Sequence, residues 1–224
     1  MKKSVLWILV LVLVAIGGYW LYHRYARGPE YSLYQIKKAI DARDMVMLEK
    51  YVDVDRTTAS LLDQTVQAGL AQLSEKDRAM AAMFLGMAMA SQKEQILQAL
   101  KDEVERYVQQ GQAGQTPPAG LSQQEWEQAK ALLPLEKLLR DSPISQAKLA
   151  GISYVHRQDT VATVGLELSV PNQPEPIIVD VRMRDQENYW QVVGLPNAGD
   201  VLQKLGLLDA WQKSQALPKL KLRM

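Results

Sequence analysis

The 224-residue sequence contains no cysteine. That excludes disulfides, thiolate metal sites, cysteine nucleophiles and a lipidated-cysteine anchor, and leaves the compartment open. Phenylalanine is nearly absent, at one residue against nine methionines, so a core has to be built from Leu, Val, Met and Ala. An excess of charge of either sign is also missing: 26 Lys and Arg face 25 Asp and Glu, for a formal charge of +1. Broad nucleic-acid binding, which needs a basic surface to displace counterions, is therefore not expected. Histidine occurs only at His23 and His156, and one histidine in a domain does not make the usual zinc ligand set. There is no Gly-x-Ser-x-Gly elbow and no glycine-rich phosphate loop. No cofactor, no metal and no catalytic constellation are expected.

What the chain does have is a long apolar start. From Val5 to Tyr22 no residue is charged, and Lys3 and His23 bound the run. Roughly 19 residues at about 1.5 Å each come close to the hydrocarbon thickness of a bilayer, and only a helix satisfies its backbone there. Trp7 near one end, and Tyr19, Trp20 and Tyr22 at the other, suit the headgroup level. The competing reading is a signal peptide cut after Gly17, where Ala15 and Gly17 stand in a small-x-small pattern. The run continues past that point to Leu21, which favours a retained single-pass anchor. Orientation has arguments on both sides. The short basic start favours a cytoplasmic N-terminus and an extracytoplasmic domain, while Arg24, Arg27, Lys37 and Lys38 crowd the far flank. The expectation is N-in with the domain outside.

The rest reads as α+β: an N-terminal transmembrane helix, several α-helices, a four-stranded antiparallel sheet and a C-terminal helix. The expected divisions are 1–27 for anchor and flank, 28–215 for the domain and 216–224 for a basic tail holding Lys219, Lys221 and Arg223. Within the domain, helices occupy 31–140, the sheet 147–195 and a last helix 198–214. Gly28-Pro29 ends the anchor, and a helix from Tyr31 turns Leu33, Ile36 and Ile40 inward, with Lys37, Lys38 and Asp41 opposite. Asp44 caps a short helix over 45–51 and Asp55 caps the next. Asp53 and Asp55 are the right residue types for acid–base work or calcium, but a turn into a helix explains both. Ser74 to Asp77 forms an acidic capping box, opening a helix to about Val108. Gly111 to Gly120 breaks the chain, and Ser122 to Glu125 opens a further helix through Leu139, which Pro134 interrupts.

After Pro143 the period changes to two. Ile152, Tyr154 and His156 alternate with Ser153, Val155 and Arg157, and Gln158-Asp159 turns the chain. One face of the next strand carries Ala162, Val164, Leu166, Leu168 and Val170, and one face of the third carries Ile177, Val179, Val181 and Met183. Asp185 to Asn188 leads into Tyr189-Trp190-Gln191-Val192-Val193-Gly194. Asp200 caps a last helix with Val201, Leu202, Leu205 and Leu208. Helices followed by a run of strands give α+β and not a parallel sheet.

The stretch Tyr31-Ser32-Leu33-Tyr34-Gln35-Ile36-Lys37-Lys38-Ala39-Ile40, with Asp44 and Lys50-Tyr51-Val52-Asp53-Val54-Asp55, resembles the opening of a bacterial family of uncharacterised membrane-anchored or secreted proteins, domain of unknown function 2939. Tyr189 to Pro196 is similar to that family's close. The order of elements also resembles nuclear transport factor 2-like and cystatin-like folds, in which a curved sheet wraps a helix. The resemblance implies a bacterial cell-envelope protein and brings no activity and no site residues.

Two groups of residues remain as candidate contacts. Tyr154, His156, Arg182, Arg184 and Trp190 line a ligand-binding side of the sheet if their faces coincide, which register decides. The competing reading is a solvated outer face. Met80, Met83, Met87 and Met89 make either a soft partner-binding face or, as helical spacing favours, part of the core. The expected function is a non-enzymatic binding or interaction module tethered to the membrane, its partner a membrane protein or a small ligand. A pocket enzyme and a structural subunit of a membrane complex are the alternatives.

Overall fold

A computed structural model describes residues 28–110, 146–171 and 173–208. The expected membrane span, the break at Gly111 to Gly120, the helix from Ser122 to Leu139 and the basic tail lie outside these residues. Among the described residues no helix is long and apolar enough to cross a membrane.

Four helices come first: α1 (Pro29–Ala42), α2 (Met45–Tyr51), α3 (Val54–Ala71) and α4 (Glu75–Gln110). Pro29 opens α1, two residues before the expected start, because a proline at the first helical position forfeits no intrahelical bond. Its buried stripe is Pro29, Ser32, Gln35 and Ala39, while Ile40 is 42% exposed, which corrects the expected inward Ile40. Leu33 and Ile36 pack on the sheet, and the Trp190 N–H donates to Ser32 Oγ at 2.9 Å. Asp44 caps α2 as expected, accepting from the Met47 N–H at 2.9 Å. The cap of α3 is Asp53 and not Asp55: Asp53 Oδ1 accepts from the Arg56 N–H at 3.0 Å. Val54 is buried and already helical, so the helix starts two residues earlier than its polar pattern suggests. Asp55 sits in the first turn, where a carboxylate favours the helix dipole, and pairs with Lys101 at 3.1 Å.

Between α3 and α4, Asp77 N–H donates to Ser74 Oγ at 3.3 Å as the capping box requires. Arg78 closes the turn by donating to the carbonyls of Leu70, Ala71 and Leu73. The helices run antiparallel, with Leu62 packed on Ile96 and Leu100, and Asp63 paired to Lys93. Farther along α4, Val108 joins Ala39 and Leu48 in a small cluster that ties α1, α2 and α4 together.

The sheet is an antiparallel meander of β1 (Lys148–Gln158), β2 (Val161–Ser169), β3 (Ile177–Asp185) and β4 (Trp190–Gly194), in that spatial order. One face is the core: Ala162, Val164, Val181, Met183, Trp190 and Val192 are buried together under Leu33 and Ile36 of α1. The open edge of β4 is closed by a parallel bridge from Val52, with the Asp53 N–H donating to the Val192 carbonyl at 2.8 Å. Helix α5 (Ala198–Lys204) packs Val201, with Leu205 at its C-cap, against Val170 and Ile177. Asn197, not Asp200, occupies its N-cap position. The Asn197 side chain is spent on the sheet, accepting from the Asp180 N–H at 2.8 Å and donating to the Ile178 carbonyl at 3.0 Å, in place of a neighbouring strand.

Candidate functional site

Register answers whether the sheet candidates share a face. Tyr154 pairs with Gly165, and Gly165 with Asp180. His156 pairs with Thr163, and Thr163 with Arg182. Val161 pairs with both Gln158 and Arg184. Partners in a ladder point the same way, so Tyr154, His156, Arg182 and Arg184 stand on one face, opposite the core, and all four are exposed. Trp190 is not among them. It is 6% exposed and belongs to the core face, where the Arg157 guanidinium lies 6.0 Å from its ring.

Ile152 also departs from the expected alternation with Tyr154 and His156. It pairs with Leu166, and the next pair is Tyr154 with Gly165, so Ser153 is an extra residue in β1. A bulge of this kind sends the residues on its two sides to opposite faces. A second irregularity lies between Leu149 and Gly151.

The centre of the outer face is a three-strand bridge. The Tyr154 ring leaves β1, crosses β2 over Gly165, and donates its hydroxyl to Asp180 Oδ1 on β3. A Cβ at position 165 would stand 2.4 Å from Tyr154 Cε1, so the ring needs glycine beneath it. The Tyr154 pKa is raised above its ordinary value, first by the hydrogen bond to Asp180, then by partial desolvation and the nearby negative charge. Sequence reasoning missed both Gly165 and Asp180. The available signal is a glycine inside a strand pattern, which often marks a close approach.

Beside this bridge stand the two arginines. Residues two apart on one strand are about 7 Å apart, so Arg182 and Arg184 form a doubly positive patch flanked by His156. Among the described residues no carboxylate pairs with either arginine. Guanidinium groups suit planar anions such as carboxylate or phosphate. Among the described residues no group of three or more His, Asp or Glu side chains is placed to hold a metal ion.

The methionines lie elsewhere. Met80, Met83 and Met87 are 55%, 69% and 63% exposed on α4, which corrects the expectation that helical spacing would place them in the core. The α4 contacts that bury apolar surface are made farther along, by Ile96, Leu100 and Val108.

The fold and site together define an α+β protein in which the helices and one sheet face form the core while the other face presents a tyrosine, a histidine and two arginines. Residues 13–110 match the model of the family described as Protein of unknown function (DUF2939), as the opening residues implied. The match takes in α1 to α4 and ends before the sheet and α5, so the Tyr189 to Pro196 resemblance lies outside it. Neither the curated proteins nor the solved structures contain a match.

Proposed function

We propose that this protein is a non-enzymatic binding module, tethered to a membrane of the bacterial cell envelope by its N-terminal apolar run, with the domain extracytoplasmic. The observation that supports the binding role best is the gathering of Tyr154, His156, Arg182 and Arg184 on one exposed sheet face. The arginines lack a carboxylate partner among the described residues, so the chemistry they ask of a partner is anionic. The nuclear transport factor 2-like or cystatin-like reading of the fold is consistent with helices gathered on one side of an antiparallel sheet. The test is crosslinking in the native host with the full-length chain, comparing the natural sequence with Arg182→Glu plus Arg184→Glu. Loss of one reproducible crosslinked partner at unchanged protein level is expected, and capture indifferent to both substitutions would sink this reading.

A second reading, a structural subunit that docks through α4, draws on the exposure of Met80, Met83 and Met87. Replacing these three by Gln in the same experiment separates the two: partner loss only with the Gln variant would move the contact from the sheet to the helix.

A further inference from the structure

We propose that the hairpin end of the sheet is a lipid-facing surface, resting against the headgroup layer of the same bilayer that holds the N-terminal run. The inference depends on the anchor reading above and adds which side of the domain meets the lipid. It starts from where the chain enters the domain. Gly28 and Pro29 are buried, and the first turn of α1 is fastened to one end of the sheet. Glu30 pairs with Arg157 at 2.9 Å, Arg157 stacks over Trp190, and the Trp190 N–H donates to Ser32 Oγ. Arg157 is next to the last residue of β1 and Trp190 is the first of β4. The Asp185 N–H donates to the Thr160 carbonyl at 2.9 Å, so the β1–β2 and β3–β4 turns lie side by side at this end.

Chain length then limits the geometry. From Tyr22, the last residue of the apolar run, to Gly28 the backbone reaches at most roughly 20 Å when fully extended. Strand β3 alone, at nine residues, is about 30 Å long. If the opposite end of the sheet met the bilayer, the chain would have to enter farther from the lipid than the connecting residues can reach. That opposite end holds the β2–β3 connection around Glu175 and the end of α5, joined by a hydrogen bond from Gln173 to the Lys204 carbonyl.

Side-chain chemistry at the near end fits a headgroup layer. Tyr31 and Tyr34 are 39% and 61% exposed, one turn apart on the outward side of α1, with Lys38 a turn further on. Lys50 stands 5.2 Å from the Tyr189 ring at the β3–β4 turn. Aromatic rings with a polar tip, beside lysines whose stems can reach, are the side chains that settle at this depth. Asp159 and Glu187 in the turns carry the opposite charge and are also exposed, so recognition rests on interfacial aromatics and not on net positive charge. A zwitterionic bilayer suffices. The same polarity points the exposed methionines away from the lipid. Helix α3 runs from the Val192 contact of Asp53 to the Gly199 contacts of Gln64 and Ala68, so its turn into α4 lies at the far end.

Because the protein has no cysteine, single reporters are simple to place. Full-length Asn188→Cys and Glu175→Cys, each carrying a fluorophore, are reconstituted into phosphatidylcholine vesicles containing headgroup-nitroxide lipid. Quenching several-fold stronger at 188 than at 175 is expected, and Tyr31→Ser with Tyr34→Ser lowers that ratio. Equal or reversed quenching in protein that co-floats with the vesicles overturns the inference while leaving the anchor standing. Protein that fails to co-float overturns both. An unchanged ratio in the tyrosine variant overturns the contact on which the surface is built.

Discussion

The two faces of this sheet are made by the same four strands, yet they are held by different physics. On the inner face Val164 and Met183 are fully buried, and the row from Ala162 to Val192 is covered by α1 and the residues around it. On the outer face the alternate residues of β1, β2 and β3 meet water, and their order comes from one tyrosine laid across a glycine and bonded to an aspartate. The difference shows where stability and recognition reside. Burial on the inner face outweighs the cost of ordering the chain, and the outer face is thereby left to carry charge without endangering the fold.

The sharpest way to break that division is to damage the inner face. Met183→Ala removes a side chain with no exposure and leaves a cavity between α1 and the sheet. A loss of about 2–5 kcal/mol in denaturant unfolding is expected. A loss below about 1 kcal/mol would mean the helices do not cover this face as tightly as its burial indicates. Ser32→Ala is next. It deletes the acceptor for the Trp190 N–H in a buried place, which costs about 1–3 kcal/mol when no water replaces it. Restoration by Ser32→Thr or Ser32→Asn but not by Ser32→Val would show that the acceptor matters and not the volume.

Much of the inner face is legible in residue order alone. Ala162, Val164, Val181 and Met183 alternate cleanly in β2 and β3 because those strands pair without interruption from Val161–Arg184 to Leu168–Ile177. The pattern fails in β1, where Ser153 is an additional residue: alternation in a sequence assumes a regular strand, and a serine does not mark the bulge. Trp190 groups with the outer residues on sequence grounds because the strand's other side chains specify no register. Its inward position follows from contacts with Ser32 and Arg157, both distant in sequence. The exposure of Ile40 and of the methionines shows the same limit. Helical spacing defines a face, and only the neighbouring elements decide which face is covered.

The seam between α3 and the sheet offers a middle-sized test. Asp53 caps α3 through the Arg56 N–H while its own N–H bonds to Val192, whereas Asp55, the residue expected to cap, makes an exposed pair with Lys101. Asp53→Ala should cost about 0.5–2 kcal/mol as a lost cap. Asp55→Ala should cost less, about 0–1 kcal/mol, because exposed ion pairs are largely screened. It should also let the Lys101 pKa, raised chiefly by the hydrogen bond to Asp55, fall back toward its ordinary value. Reversal of this order in parallel melts would return the cap to Asp55.

The smallest effect on stability, and the most telling for the outer face, belongs to Gly165→Ala. The added methyl collides with the Tyr154 ring, and that ring is on an exposed side chain that can swing away. Stability should therefore change by less than about 1 kcal/mol, the lost contact being offset in part by the lower backbone entropy of alanine in the unfolded chain. What should change is the titration. In the natural protein the Tyr154 pKa is raised, chiefly by the bond to Asp180. The folded state thus holds this proton more tightly than the unfolded state does. Any stability from the bond is present below the ordinary tyrosine pKa and is lost as pH rises through the higher folded value. In Gly165→Ala, ultraviolet titration should show Tyr154 ionising nearer its ordinary pKa, and Asp180→Ala should do the same without any methyl at 165. If Gly165→Ala left the titration unmoved while Asp180→Ala shifted it, the ring would have found another path over the sheet. The outer face would then owe its order to the aspartate alone and not to the glycine beneath the ring.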